Sequence, residues 1–438
     1  MHPTRSPIAI LFPLVALAAL LTLGACGGDE GDGATTPYGS NPYAQTPYGQ
    51  TTHGSGAGAK GGAFDADLRK RVDAALAKGR ELLLSAQAEN GGWGDPEIQV
   101  PPNVGYTAMA VAAVIGATPS TAVGGDASIR KALDLVASNQ KEDGSIWDNP
   151  AYVNYATSAS VGAFAAARIP AFRQNEVKAR DFLAASQIAG DESDASYGGF
   201  PYKQDQGQAA DLSNVQFALT ALADAGLPKD HVVWQRAMTY LSRMQNRSES
   251  NSFEVPVVVE GEERIVKSGD DGGAFYLPGN SKAGLVKRAD GTYEPVSYGS
   301  MTYALLKCLI LAGADAEDPR VLAALGWIAE NFTVAKNPGF EAATDAEVAG
   351  QQGYYYYVFT LARTLAEYEA LTKKPLVVKD KGGNEHDWRA ELARAILDRQ
   401  REDGWWANEV SERWEEGAPV LATSYAVQAL AELNGRYR

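Results

Sequence analysis

Three carboxylates in this 438-residue chain have neighbours that could make acids of them, and four consecutive tyrosines stand where aromatic faces could meet a ligand. Glu415 follows Trp414 in Trp414-Glu415-Glu416-Gly417, and a carboxyl held against an indole is a candidate proton donor because desolvation favours its neutral form. The alternative is a solvated acidic loop. Asp211 and Asp271 are the other two candidates, although Asp211 opens an apolar run, where it can cap a helix, and Asp271 sits in a Gly-rich segment, where it can shape a turn. Glu341 and Asp345 offer a second carboxylate pair, of the kind that hydrolyses glycosides in an open groove.

Tyr354, Tyr355, Tyr356 and Tyr357 sweep most of a helix surface at about 100° per residue, so they cannot share one core seam. Some should face a cavity; an aromatic staple between helix layers is the other reading. The preceding Gly350-Gln351-Gln352-Gly353 is a flexible loop bearing two amides. Aromatic walls with Gln351 and Gln352 suit an apolar ligand with a polar head, or a sugar ring.

These residues need elements to hold them, and the chain supplies a repeat. Amphipathic runs with one wet face cover Ala66 to Gln87, Ala127 to Gln140, Asn175 to Gln187, His231 to Gln245, Pro319 to Asn331 and Asp387 to Gln400. Each is followed by a Gly-aromatic turn and a run apolar nearly all round: Tyr106 to Gly116, Thr157 to Arg168, Ser213 to Ala225, Ser300 to Gly313, Tyr354 to Tyr368 and Thr423 to Leu433. Six wet and six dry helices satisfy both faces if the dry set forms an inner ring and the wet set wraps it. The expected fold is therefore all-α, an (α/α)6 toroid of six helical hairpins, with a small β-hairpin insertion over Phe253 to Val266 and a second insertion over Pro375 to Glu385. The long loops gather at the N-terminal ends of the inner helices, which marks that rim as the functional mouth. Tyr106, Asn154, Asn214 and Tyr298 open inner helices there and, with Asp211 and Trp414, are candidate ligand contacts. Six helix N-termini at one rim would add the positive potential of unpaired amides.

Two turns carry the heptapeptide pattern Gln, three residues, Gly, one residue, Trp: Gln87 to Trp93 with Gly91, and Gln400 to Trp406 with Gly404. A looser copy runs from Gln140 to Trp147. This resembles the QW motif of squalene and oxidosqualene cyclases, within the wider squalene cyclase and prenyltransferase repeat family, over about residues 65 to 436. The resemblance implies structural roles for Gln87, Trp93, Gln400 and Trp406 at the periphery. It also brings departures: the chain has no Asp-x-Asp-Asp acid motif, no Asp, Cys and His set for the zinc of protein prenyltransferases, and no Gly-Cys-Gly-Glu-Gln thioester. No metal or other cofactor is expected.

Charge and the first residues set the remaining expectations. With 39 basic and 54 acidic side chains the chain carries −15, which argues against nucleic acid as a partner. Arg5, the apolar run from Ile8 to Leu21 and Leu23-Gly24-Ala25-Cys26 look like a bacterial lipoprotein signal over residues 1–26, with Cys26 lipidated. Residues 27–62 repeat Thr-Pro-Tyr-Gly and lack aliphatic side chains beyond Ala, so they read as a disordered tether before a toroid over 63–438. The expected setting is the cell envelope, reached by lipid anchoring, with Gly27 and Gly28 favouring the outer membrane. Cys308 is left alone in an apolar run and reads as a buried thiol. Taken together, these features predict a lipoprotein that binds a hydrophobic or amphiphilic small molecule in a central cavity. A terpenoid or lipid cyclase or isomerase with a nonstandard acid is the second class, a glycan hydrolase or lyase the third; the sequence names no protein partner.

Overall fold

Acidic caps start four of the six outer helices. In the computed structural model Asp65 accepts from Leu68 N, Asp126 from Ser128 and Ile129 N, Asp318 from Arg320 N and Asp387 from Ala390 N, each relieving amides that a first helical turn leaves unpaired. The structure describes residues 64–203, 209–259 and 261–435. The chain forms two units, Met1–Gly61 and Gly62–Arg438, and every described residue belongs to the second. The expected signal, Cys26 and the tether therefore lie outside the described residues.

Among the described residues twelve helices have ten or more residues, alternating outer and inner. The outer helices are α1 (Ala66–Ser85), α3 (Ala127–Ser138), α5 (Arg173–Ser186), α7 (Val232–Arg243), α9 (Pro319–Asn331) and α11 (Trp388–Leu397). The inner helices are α2 (Val104–Ala117), α4 (Val153–Ala167), α6 (Leu212–Asp224), α8 (Gly299–Leu311), α10 (Tyr354–Thr372) and α12 (Pro419–Leu433). An outer helix such as α3 buries only the stripe Ile129, Ala132, Leu133 and Val136, whereas every residue of α2 and α12 is buried. That difference sorts the two layers. The inner helices pack in sequence, α2 on α4, α4 on α6, α6 on α8, α8 on α10, α10 on α12 and α12 back on α2. The ring is closed, and the fold is an (α/α)6 toroid.

A glutamine at the end of an outer helix ties neighbouring hairpins together. The Gln87 side-chain amide donates to Gly91 O (2.9 Å) in its own turn and to Ser128 O (3.0 Å) at the start of α3. Gln140 does the same to Gly144 and Asn175, Gln187 to Gly198 and Val233, and Gln245 to Gly272 and Arg320. The last two were only partly legible as copies, because longer insertions separate the glutamine from its glycine. Trp93 and Trp406 reach back to bond Leu83 O and Ile396 O of their own outer helices (2.6 and 2.8 Å) and are fully buried. In four of the turns a backbone N–H then meets a threonine of the inner helix, Trp93 with Thr107, Ile146 with Thr157, Ala274 with Thr302 and Trp406 with Thr423, all at 3.0 Å.

The insertion after α7 is larger than a hairpin. Strands β1 (Val255–Val259) and β2 (Glu262–Val266) pair antiparallel as expected, but β3 (Leu285–Lys287) and β4 (Tyr293–Pro295) extend the sheet to the order β1-β2-β4-β3. Those two are three residues each, too short to show an alternating pattern. The second insertion carries a two-residue hairpin, Val378–Lys379 with Glu385–His386.

Close approach of turn and outer helix makes one substitution decisive. Gly198 has φ +83°, and a Cβ there would lie 1.9 Å from Arg236 O in α7. Gly198→Ala should lower the stability of the toroid by about 2 kcal/mol or more, read from chemical denaturation, while Gly162→Ala, with open space at its Cβ, should change it little.

Candidate functional site

Four inner helices each send one aromatic ring to the axis. Tyr155 of α4 meets Phe217 of α6 edge-on at 4.7 Å between centroids, Phe217 meets Tyr356 of α10 at 6.2 Å, and Tyr356 meets Tyr425 of α12 at 6.1 Å. The Tyr425 hydroxyl returns to that of Tyr155 at 3.3 Å, closing the circuit. Phe359 backs Tyr425 at 5.3 Å, and Tyr356 donates to the Gln216 side-chain oxygen at 2.8 Å. Tyr155, Phe217 and Tyr356 are half-buried. Burial pushes the Tyr155 hydroxyl up to about 12, so it stays a neutral donor at ordinary pH.

Polar groups stand around these rings. Tyr106 donates to Glu415 Oε2 at 2.9 Å, and burial, then the Glu415 charge, hold its hydroxyl above the usual phenol range. Tyr202 and Tyr276 share a hydrogen bond at 2.9 Å beside Asp211, which raises both hydroxyls after burial does. Lys282 lies over the Tyr276 ring at 4.3 Å. On another side Arg413 donates to Gln352 Oε1 at 2.8 Å and lies 5.1 Å from the Trp414 ring. The arrangement offers aromatic faces below and hydroxyls, amides and charges of both signs at the rim.

The expected positive potential of free helix amides is corrected by the structure. Each inner helix hands its first amides to the loop of the next hairpin: Val104 N to Asp148, Asn154 N to Tyr202 O, Leu212 N to Tyr276 O, Gly299 N to Pro338 O, Tyr355 and Tyr356 N to Glu416, and Val420 N to Asp95. An unpaired buried amide is costly, so these ends are closed before any ligand arrives.

Several candidate residues are likewise occupied in the scaffold. Asp211 caps α6, accepting from Asn214 N (3.0 Å), the Asn214 side chain (2.9 Å) and Ser213 Oγ. Asn154 donates to Pro201 O at 3.0 Å, and Tyr298 is buried edge-on to Phe340 at 5.2 Å. Asp271 is a peripheral turn residue: it accepts from Gly273 N at 2.9 Å, as Asn90, Asp143, Asp194 and Asp403 accept two residues on in the other turns. Glu341 pairs with Gly339 N and Lys336, and Asp345 accepts from Val348 N, both on the exposed surface.

Only one of the four tyrosines faces the axis. Tyr354, Tyr355 and Tyr357 bond the loop carbonyls of Val334, Ala407 and Thr333, and Tyr356 alone joins the circuit, as the rotation along a helix requires. Gln351 bonds Ala335 O and Arg399 rather than the rings, leaving Gln352 as the amide beside Arg413. His231 accepts from Val233 N at the start of α7, His386 pairs with Glu391 and Asp380, and Cys308 is buried in α8. Phe217 was missed because it lies inside an apolar run with no pattern to separate an axial ring from a core one. Asp95, Asp148 and Glu416 were missed because their partners are amides far away in sequence.

The loop before α12 is strained and anchored. Trp414 and Glu415 both have left-handed backbones, φ +60° and +62°, which side chains other than Gly, Asn and Asp seldom adopt. The Trp414 ring takes the space that a Cβ on Gly353 would fill, 2.7 Å from the ring. Glu416 holds the loop down, accepting from Tyr356 N (2.7 Å), Tyr355 N (3.1 Å) and Asn408 Nδ2 (3.0 Å) while 1% exposed. Burial raises its carboxyl to about 7 against the lowering effect of those donors.

No family model matches this chain, and no curated protein matches it. Among solved structures it is similar to the type II terpene cyclase MstE from Scytonema, at 14% identity over 84% of this chain and 99% of that one with a TM-score of 0.49. It is also similar to the GH76A alpha-1,6-mannanase from Salegentibacter sp. HEL1_6, at 12% identity over 84% and 100% with a TM-score of 0.48. A protein from Actinoplanes follows at 15% identity over 83% and 99%, TM-score 0.46. Such values assign neither a family nor an activity.

Glu416 gives the site a pH signature. Its carboxyl is about 7 in the folded chain against 4.5 unfolded, so the native state binds more protons between those values and loses stability as pH rises through that window. The contribution is on the order of 3 kcal/mol. The melting temperature of the unsubstituted chain should fall between pH 5 and pH 8, and Glu416→Gln, which keeps an acceptor for the Tyr356 amide, should flatten that fall.

Proposed function

We propose that the toroid is a binding protein for an apolar or amphiphilic small molecule, taken at the rim and resting on the Tyr155, Phe217, Tyr356 and Tyr425 rings. The observation that carries this reading is the closed aromatic circuit across four inner helices, three of whose rings stay half-buried. Rings in a core normally bury fully; rings left accessible at a concave rim suit apolar ligand surface. Tyr106, Tyr202, Tyr276 and Gln352 would orient the polar end. Native mass spectrometry of the protein from its own membranes should show a retained ligand. Phe217→Ala together with Tyr356→Ala should abolish that retention with little change in the circular dichroism spectrum. Retention of the same mass by the double variant would overturn the reading.

A catalytic reading rests on Glu415, which meets Tyr106 at the rim on a strained backbone. One Glu415 oxygen accepts from the Tyr106 hydroxyl at 2.9 Å, so that part of the carboxyl is engaged in the scaffold. Asp211 has its oxygens on its own helix and Asp271 lies in the outer turn, so neither takes the part of an acid. We read the repeat as related to the squalene cyclase and prenyltransferase family through its glutamine bridges, with the family's acid chemistry absent from this chain.

The setting we propose is the cell envelope, with Cys26 lipidated and residues 27–62 as the tether. Metabolic labelling with a clickable palmitate should mark the chain, and Cys26→Ser should remove both the label and sedimentation with membranes. Label surviving in Cys26→Ser would place the anchor elsewhere.

A further inference from the structure

We infer that Lys307 is a covalent anchor for the ligand, its amine condensing with an aldehyde or ketone carbonyl at the inner end of a molecule that lies along the axis past the aromatic circuit. This rests on the binding reading above and deepens it by naming the ligand's reactive group; the rim hydroxyls and amides hold the opposite end.

Lys307 is 3% exposed, and among the described residues no other lysine or arginine is buried. Its Nζ has no hydrogen-bond partner there, whereas the buried carboxylates Asp95, Glu176, Asp211 and Glu416 all accept bonds. A sealed ammonium without a partner is costly, and the group escapes that cost by giving up its proton.

Its position is on the axis below the rings. Seven residues beyond each ring of the circuit stand Gly162 after Tyr155, Asp224 after Phe217, Arg363 after Tyr356 and Glu432 after Tyr425. Two helical turns return to the same face, so these four continue the inward stripes at a depth of roughly 10 Å. At that level Arg363 of α10 reaches Asp224 of α6 at 3.3 Å. Lys307 belongs to α8, the helix packed between those two. One turn earlier Tyr303 meets Tyr357 edge-on at 5.7 Å, and its carbonyl accepts from Thr364, the neighbour of Arg363, which fixes the register of α8 against α10. On the α4 side of the axis there is room, since a Cβ on Gly162 would have nothing within 4 Å. The ion pair is partly exposed, 22% at Arg363 and 38% at Asp224, and pairs of that kind contribute little, so its opening uncovers the axis at small cost.

The charged groups around Lys307 are Arg363 and Glu367 of α10 and Asp224 of α6, with the Cys308 thiol on its own helix. Burial first, and Arg363 next, lower its amine to about 8 against the raising effect of Asp224, Cys308 and Glu367. A desolvated lysine beside another cation is an activated nucleophile. Its nitrogen adds to the carbonyl carbon, both nitrogen protons pass to the carbonyl oxygen, and that oxygen leaves as water; the imine forms without oxidant or reductant.

The test incubates the full chain with decanal and sodium cyanoborohydride, which reduces imines to stable secondary amines, in phosphatidylcholine nanodiscs that bring no lipid amine. Peptide mass spectrometry locates the label. At pH 7.5 Lys307 should be labelled roughly tenfold or more faster than exposed lysines such as Lys287 and Lys381, an advantage that shrinks towards about pH 10 as every lysine loses its proton. Lys307→Met, which keeps an unbranched side chain, should lose that label and leave the exposed lysines labelled as before. Decanol, with the same chain and no carbonyl, should bind in native mass spectra and slow the labelling of Lys307. Labelling of Lys307 no faster than that of exposed lysines, or unchanged by decanol, overturns the inference. Decanol bound without such labelling leaves the binding reading standing, and retention of neither probe ends both.

Discussion

Unpaired helix amides set the terms of this fold. A toroid that points six inner helices at one rim collects the most exposed donors of each helix in one place, and burying them without partners would cost more than the marginal stability of a domain allows. The structure resolves this by handing the first amides of each inner helix to the next hairpin, through the Asp148 and Glu416 carboxylates or through loop carbonyls such as Tyr202 O and Tyr276 O. The last hairpin is closed by Asp95 of the first, which accepts from Val420 N across 325 residues of sequence. One set of bonds thus caps the helices, fixes the order of the hairpins and shuts the ring.

The same handover shapes the rim chemistry. Once the amides are spent on loops, what remains for a ligand is side chains: rings on the axis and hydroxyls, amides and charges carried on the capping loops. Tyr202 and Tyr276 illustrate the economy, since their carbonyls cap α4 and α6 while their hydroxyls bond one another at the rim. The Trp414 to Glu416 segment works likewise. Glu416 caps α10, and the two residues before it, in left-handed backbones, place Trp414 over Gly353 and Glu415 at Tyr106.

Periodicity made the twelve helices legible, because a wet stripe and an all-round apolar run differ in ways that local residue types record. Inner helices nevertheless begin earlier than their apolar runs suggested, at Val104, Val153 and Pro419, since polar first-turn residues there bond the turn or the next loop. Thr107, Thr157 and Thr423 are such residues, bonded to their own hairpin turns. Tyr354 and Tyr355 show the limit again: rotation along a helix says that the four tyrosines diverge, not which one reaches the axis.

The sequence by itself determined the hairpin count, the layer to which each helix belongs and the glutamine and tryptophan positions of the turns, because these follow from burial patterns and bonds within a few dozen residues. Which carboxylates cap which helices and which tyrosine meets Phe217 were decided only when the ring closed. Those contacts join different hairpins, 44 residues apart for Val104 and Asp148 and 325 for Asp95 and Val420, and no local preference encodes such a partner.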